Sequence, residues 1–115
     1  MCIAIYHNNR WRKSRETLQL LRDNGHEPKV IEYLKTPPNV KELNNICKIL
    51  DKRPKDIIRK GEQEYKALKI NKIDRDDDLI KAMARHPKLM ERPIVINGMK
   101  AIIGRPPENV LEIID

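Results

Sequence analysis

Phenylalanine is absent, and the aromatic complement of the 115 residues is one Trp and three Tyr. The core must therefore be built from Ile, Leu, Val and Met. No apolar run approaches the roughly 20 residues of a membrane-spanning helix. Only a few apolar residues precede His7, too few for a secretory leader, so a cytoplasmic location is expected. Cysteine is equally scarce. Cys2 and Cys47 stand far apart, neither belongs to a Cys-x-x-Cys pair, and both are expected to be reduced. The aromatic stacking motifs of RNA-recognition modules are missing. The basic residues are spread along the chain and do not form a tail, so the formal charge of +7 favours anionic partners in general and not nucleic acid in particular.

What is present is punctuation. Ile3–Tyr6 reads as a short buried strand. Ser14, Thr17, Leu18 and Leu21 then fall on one helical stripe, and Asn24-Gly25 supplies a stop. Val30 and Ile31 centre a second strand. Strand, helix and strand make a βαβ unit with parallel strands and a right-handed crossover. After Thr36-Pro37-Pro38, Asn39 can cap a helix running to about Leu50, with Val40, Leu43, Ile46, Cys47 and Leu50 inward. Cys47 is thus expected to be a small core residue. Pro54 opens a third helical segment, expected to carry Arg59 and to continue through Tyr65.

Asp76-Asp77-Asp78 begins a fourth helix, complementing its dipole. No His or Glu nearby adds ligands at a metal-binding spacing, and no metal site is assigned. Leu79, Ile80, Met83 and Ala84 form the buried face of that helix, and His86-Pro87 closes it. Ile94-Val95-Ile96, Asn97-Gly98 and Ala101-Ile102-Ile103 read as a hairpin turning on Asn-Gly. A last helix is expected to turn Pro107, Val110, Leu111 and Ile114 inward. The sum is an α/β, thioredoxin-like (glutaredoxin-like) fold: one domain over residues 1–115, with a four-stranded mixed sheet flanked by helices. A helical insertion at approximately 39–90 interrupts it. The Arg92-Pro93 peptide bond, just before the third strand, is predicted to be cis.

The stretch Tyr6–Arg15 leads from the first strand into the first helix, where free N–H groups and the positive end of the dipole lie. Arg10, Arg12, Lys13 and Arg15 add positive charge there. The local design points to an anion.

Several separate motifs together resemble the ArsC family, the glutaredoxin-coupled arsenate reductases. They are Tyr6-His7-Asn8 with Lys13-Ser14-Arg15, Tyr33-Leu34-Lys35-Thr36-Pro37-Pro38, and Ile58-Arg59-Lys60 with Glu64-Tyr65. Ala84-Arg85-His86-Pro87, Glu91-Arg92-Pro93-Ile94-Val95 and Gly104-Arg105-Pro106-Pro107 follow in order. The resemblance covers nearly the whole chain. It implies a site for a tetrahedral oxyanion (arsenate, phosphate or sulfate) held by Arg59, Arg92 and Arg105, with His7, Asn8 and Ser14 supporting the loop. It also implies glutathione and glutaredoxin as reductants of an active enzyme, and no bound cofactor. Arginine's planar fork suits an oxyanion, at about 1.5–3 kcal/mol per hydrogen bond to a charged group. The competing reading pairs each arginine with a local carboxylate, Arg92 with Glu91 for instance.

One position departs from the family's pattern. Where the reductases read His-Asn-Pro-x-Cys, this chain reads His7-Asn8-Asn9-Arg10-Trp11, which puts Trp11 at the nucleophile's place. Indole forms neither a thiolate nor a mixed disulfide. Cys2 lies some 15 Å back along the strand at about 3.3 Å per residue, and Cys47 is on an inner helical stripe, so neither replaces the thiol. A Ser14 nucleophile activated by His7 lacks a third, orienting residue. Three functional readings follow. The chain is an ArsC-family protein with an oxyanion pocket that binds without turnover, or a reductase that works by another route. The alternative is a non-enzymatic regulator like the related Spx-type proteins, which bind RNA polymerase, although their Cys-x-x-Cys is missing. Trp11 either lies over the pocket, stacked on a guanidinium or blocking the anion, or swings into solvent.

Overall fold

A computed structural model describes residues 3–114. Cys2, and with it the argument on its distance from the first loop, lies outside the described residues. The chain divides into two compact units. Met1–Thr36 with Arg92–Asp115 forms the first, and Pro37–Glu91 the second.

The first unit holds the sheet. β1 (Ile3–His7), α1 (Arg12–Asp23) and β2 (Lys29–Glu32) form the βαβ unit, and β3 (Ile94–Asn97) and β4 (Lys100–Ile103) the hairpin. The strand order is β2-β1-β3-β4. β1 runs parallel to β2 and antiparallel to β3, with Ile5 opposite both Val30 and Val95. This is the thioredoxin-like fold with a four-stranded mixed sheet. Side chains two apart on a strand share a face, so Ile3 and Ile5 join Val95 in one apolar cluster with Leu21 of α1 and with Val110 and Ile113 of the closing segment.

That closing segment corrects one expectation. It is a 3₁₀ helix, Pro107–Ile113, burying Pro107, Val110 and Ile113, while Leu111 is 45% exposed. A 3₁₀ helix repeats every three residues, so the buried positions advance by three and Leu111 is left outside, while Ile114 is partly buried against the same apolar cluster as expected. The hairpin also turns one residue later than the Asn-Gly signal implies. Asn97 pairs with Lys100, so the two-residue loop is Gly98-Met99, and Gly98 takes the positive φ of 64°. A two-residue turn with glycine first is one of the two favoured hairpin closures. The Arg92-Pro93 bond is cis as predicted, and Arg105-Pro106 is cis as well.

The second unit is helical. α2 (Val40–Leu50) starts with a full capping box: Asn39 accepts from the Glu42 N–H, and the Glu42 carboxylate accepts from the Asn39 N–H. α2 packs against α4 (Asp76–Arg85). Leu43, Ile46 and Cys47 are buried on α2, and Leu79, Ile80 and Met83 on α4. Val40 is exposed and does not join the stripe. The third helical segment is not continuous. A 3₁₀ turn, Pro54–Ile57, gives way at Ile58 to extended backbone that bridges Met90, and only Gln63–Ala67 is helical again, as α3. Arg59 therefore lies on extended chain, its N–H donating to the Leu89 carbonyl at 2.7 Å. The β-branched Ile58, at φ −99° and ψ 134°, suits extended backbone, and Gly61 follows it.

Cys47 is 7% exposed. Burial, reinforced by the Asp76 and Asp56 carboxylates, pushes its thiol up to about 11. A thiol with that pKa is almost wholly protonated at pH 8 and a poor nucleophile. In a Cys2→Ser background, native Cys47 is expected to react with a disulfide reagent at least about a hundred-fold more slowly than in denaturant. Equal rates would show that Cys47 is accessible and thiolate-rich.

Candidate functional site

The sheet topology brings three segments to one end of the first unit. β1 and β3 are antiparallel with Tyr6 opposite Ile94, so the C-terminal end of β1 lies beside the N-terminal end of β3. β3 and β4 pair with Ile94 opposite Ile103, and the Gly104 N–H donates to the Pro93 carbonyl at 2.9 Å. The first loop, Arg92 and Arg105 thus emerge at the same sheet end, Arg92 and Arg105 flanking the open end of the hairpin.

The loop from His7 into α1 is folded tightly on itself. The Asn8 N–H donates to Ser14 Oγ (3.1 Å), the Arg10 N–H to Asn8 Oδ1 (3.0 Å) and the Trp11 N–H to the Asn8 carbonyl (3.0 Å). These three N–H groups are spent within the loop and do not point outward to an anion, as a strand-to-helix loop was expected to aim them. What remains open by helix geometry is the first turn of α1. Asn8 is the organiser, using backbone and side chain together in an Asx-type turn.

Ser14 Oγ lies 2.6 Å from His7 Nδ1. Ser14 is fully buried, and His7 is nearly so. Burial lowers the His7 pKa from 6.5, a hydrogen bond with the Asn9 side chain and the Glu32 charge pull the other way, and Arg22 and Arg15 lower it further. The ring is therefore neutral at pH 7, and the Ser14 hydroxyl donating to Nδ1 is the assignment that suits it. A hydroxyl with no exposure, accepting from Asn8 and bonded to His7, ties the loop to β1 and does not attack a substrate. The pH consequence has a definite sign. The unfolded chain takes up the His7 proton before the folded chain does, so stability is intact above about 6.5 and declines as pH falls below it. Urea midpoints measured from pH 7.5 to 5.5 are expected to fall more steeply for the parent than for His7→Gln. Parallel curves would show that His7 does not contribute.

Trp11 is the N-cap of α1. Its carbonyl accepts from the Arg15 N–H, and the residue is 45% exposed. The Arg92 guanidinium lies over that ring, 3.6 Å from the centroid, and Arg92 is only 4% exposed. Of the placements open to Trp11, the stacked one is realised. Arg105 is exposed. Of the loop cations, Arg12 pairs with Glu16 at 2.8 Å, and Arg15 donates to the Asn9 carbonyl.

Arg59 belongs to the second unit. Its guanidinium is paired with Glu62 and Glu91, both at 3.1 Å. The carboxylate-pairing alternative thus holds for Arg59. Two contributions are not visible in the sequence pattern. Asn8 has a double role in the loop that no spacing signals. Thr17 belongs to the helical stripe, yet its Oγ1 lies 2.7 Å from the Lys13 carbonyl and 3.3 Å from that of Gly104.

A family model described as "ArsC family" matches residues 6–113. The chain is 49% identical to the uncharacterized protein YfgD of Escherichia coli K12, over 97% of this chain and 96% of that one. It is 46% identical to a protein of Haemophilus influenzae named arsenate reductase, over 99% of this chain and all of that one. Among solved structures, an arsenate reductase from Vibrio cholerae superposes with a TM-score of 0.95 at 47% identity, covering 99% of this chain and 98% of that one. With a family match over nearly its whole length and relatives this similar, the chain belongs to the ArsC family. Among its described residues no helix is long and apolar enough to cross a membrane.

Proposed function

We propose that this ArsC-family protein binds a small tetrahedral oxyanion at the loop end of its sheet and does not carry out thiol-based reduction there. Trp11 stands where the reductases' first-loop Cys would be. The observation that carries this reading is the Arg92 guanidinium, buried and lying over the Trp11 ring 3.6 Å from its centroid. The N–H donors of a guanidinium lie in the plane of its fork, the geometry that grips two oxygens of an oxyanion at once. Arg105 and the first turn of α1 add positive potential at the same end. The family resemblance also names Arg59, which in the second unit is paired with Glu62 and Glu91. Arsenate, phosphate and sulfate all have the required shape. Glutaredoxin is a partner only of a thiol-bearing form.

The sole Trp reports on the site. Titration with arsenate, phosphate or sulfate is expected to change Trp11 emission saturably and to release or absorb heat. Arg92→Ala should weaken the binding roughly ten- to hundred-fold, the equivalent of one charged hydrogen bond. Unchanged emission together with no heat would overturn the proposal.

A further inference from the structure

The second unit has a cavity of about 180 Å³ that the oxyanion site does not use. Its floor is apolar: Ile58, Ile70 and Leu79, all buried, with Ile73 beside them. Its other lining residues are polar and none is anionic: Lys55 and Lys60 bring two ammonium groups, Tyr65 a phenol and Asn71 a carboxamide. Among the described residues neither lysine enters an ion pair. The extended backbone at Ile58 explains how this lining coexists with Arg59. Alternate side chains of an extended chain point to opposite sides, so Ile58 and Lys60 line the cavity while Arg59 reaches Glu62 and Glu91. Lys60 and Tyr65 come from the Ile58-Arg59-Lys60 and Glu64-Tyr65 motifs, and the oxyanion site gives them no task.

An apolar floor with cations and donors around it, and no carboxylate in the lining, fits one class of molecule. We propose that this cavity binds a short organic carboxylate, its branched or cyclic hydrocarbon body on Ile58, Ile70 and Leu79 and its carboxylate between Lys55 and Lys60. Tyr65 and Asn71 supply further hydrogen bonds. A volume of this size suits a short guest and not a drug-sized one. A bare inorganic oxyanion would leave the apolar floor uncovered, and a hydrocarbon would leave the two ammonium groups without a counter-charge.

The test is an amide-resolved NMR titration of the full chain with sodium 3-methylbutanoate, at low and at moderate salt. Saturable shifts confined to residues 55–79 are expected, with affinity falling as salt rises. The neutral isostere 3-methylbutanamide should bind at least about ten-fold more weakly, and the carboxylate should lose as much affinity for the double variant K55E/K60E. Both lysines are exposed, so that variant is expected to fold, and the dispersion of its spectrum verifies this. The single variant Lys60→Gln, which introduces no repulsion, should show a smaller loss in the same direction. Absence of saturable shifts overturns the proposal, as does equal binding of the amide or undiminished affinity in K55E/K60E. Shifts produced equally by inorganic phosphate would mark a nonspecific cationic surface and overturn it as well. Anion binding at Trp11 is read separately by its fluorescence, so failure at one site is distinguishable from failure at the other.

Discussion

Trp11→Cys is expected to confer arsenate reduction, and the parent chain is expected to show none above background. Trp11 is the N-cap of α1, where the helix's free N–H groups and dipole stabilise negative charge. Thiols at such helix N-termini have pKa values lowered from about 8.5 to between roughly 3.5 and 7.5. The new thiolate would also have a guanidinium as neighbour, since Arg92 now covers the ring that the substitution removes. The family resemblance implies Cys attack on arsenate as the first step, with glutathione and glutaredoxin completing the reduction. Absence of a nucleophile costs an enzyme several orders of magnitude, so a gain of about a hundred-fold or more is expected in a glutaredoxin-coupled assay. Adding Arg92→Ala should remove most of it. Cys47→Ser should leave it intact, because that thiol is buried and raised to about 11. Activity in the parent chain that Cys2→Ser or Cys47→Ser abolishes would defeat the reading of Trp11 as the missing nucleophile.

Gly104→Ala is expected to be the most damaging small substitution in the first unit. A Cβ at Gly104 would sit 2.7 Å from Thr17 Oγ1, and 2.9 Å from both Thr17 Cγ2 and Pro93 Cγ. None of these atoms is the end of a flexible side chain. Thr17 is fully buried on α1, with its hydroxyl engaged by the Lys13 and Gly104 carbonyls. Pro93 is a ring whose carbonyl accepts from the Gly104 N–H. Overpacking of this kind costs typically about 1–3 kcal/mol. For a domain of this size that lowers Tm by roughly 4–8 °C per kcal/mol. Thr17→Ala removes both clashing Thr17 atoms, so the double variant T17A/G104A should be more stable than the sum of the two single losses predicts. Strict additivity would show that the clash is relieved elsewhere. Because Gly104 precedes Arg105 and touches Pro93, the single variant should also weaken anion binding.

The elements legible in the sequence are those whose code is local. Asn39 with Glu42 three residues on is a capping box, and it forms. Asp76-Asp77-Asp78 opens α4, and His86 ends it. Ile94-Val95-Ile96 pairs with Ala101-Ile102-Ile103, because apolar β-branched runs about a tight turn have few other uses. The differences between expectation and structure are local too, and each is one of period or register. The closing segment has a period of three where its apolar spacing also admits 3.6. The hairpin turns at Gly98-Met99 and not at Asn97-Gly98, since the cross-strand pairing of Asn97 with Lys100 sets where the strands end. Pro54 starts a helical turn, but Arg59 does not continue it. The bridge from Ile58 to Met90 joins residues 32 positions apart, and no helical period encodes that.

The candidate site divides in the same way. Residue identity and short spacing are enough to say which groups are available: a basic loop entering a helix, two Arg-Pro pairs bracketing a hairpin, and an indole where a thiol would serve the family's chemistry. How those groups meet is a matter of tertiary packing. Trp11 and Arg92 are 81 positions apart, and their stacking depends on β1 and β3 pairing antiparallel so that one strand's end lies beside the other's beginning. Ser14 and Thr17 share a helical stripe, yet Ser14 is bonded to His7 of β1, while the Thr17 hydroxyl, bonded at 2.7 Å to Lys13 in its own helix, also lies 3.3 Å from the Gly104 carbonyl. A buried polar group must find its partner among whatever the fold places within about 3 Å, and that choice is made by packing between elements, not by the order of residues along them.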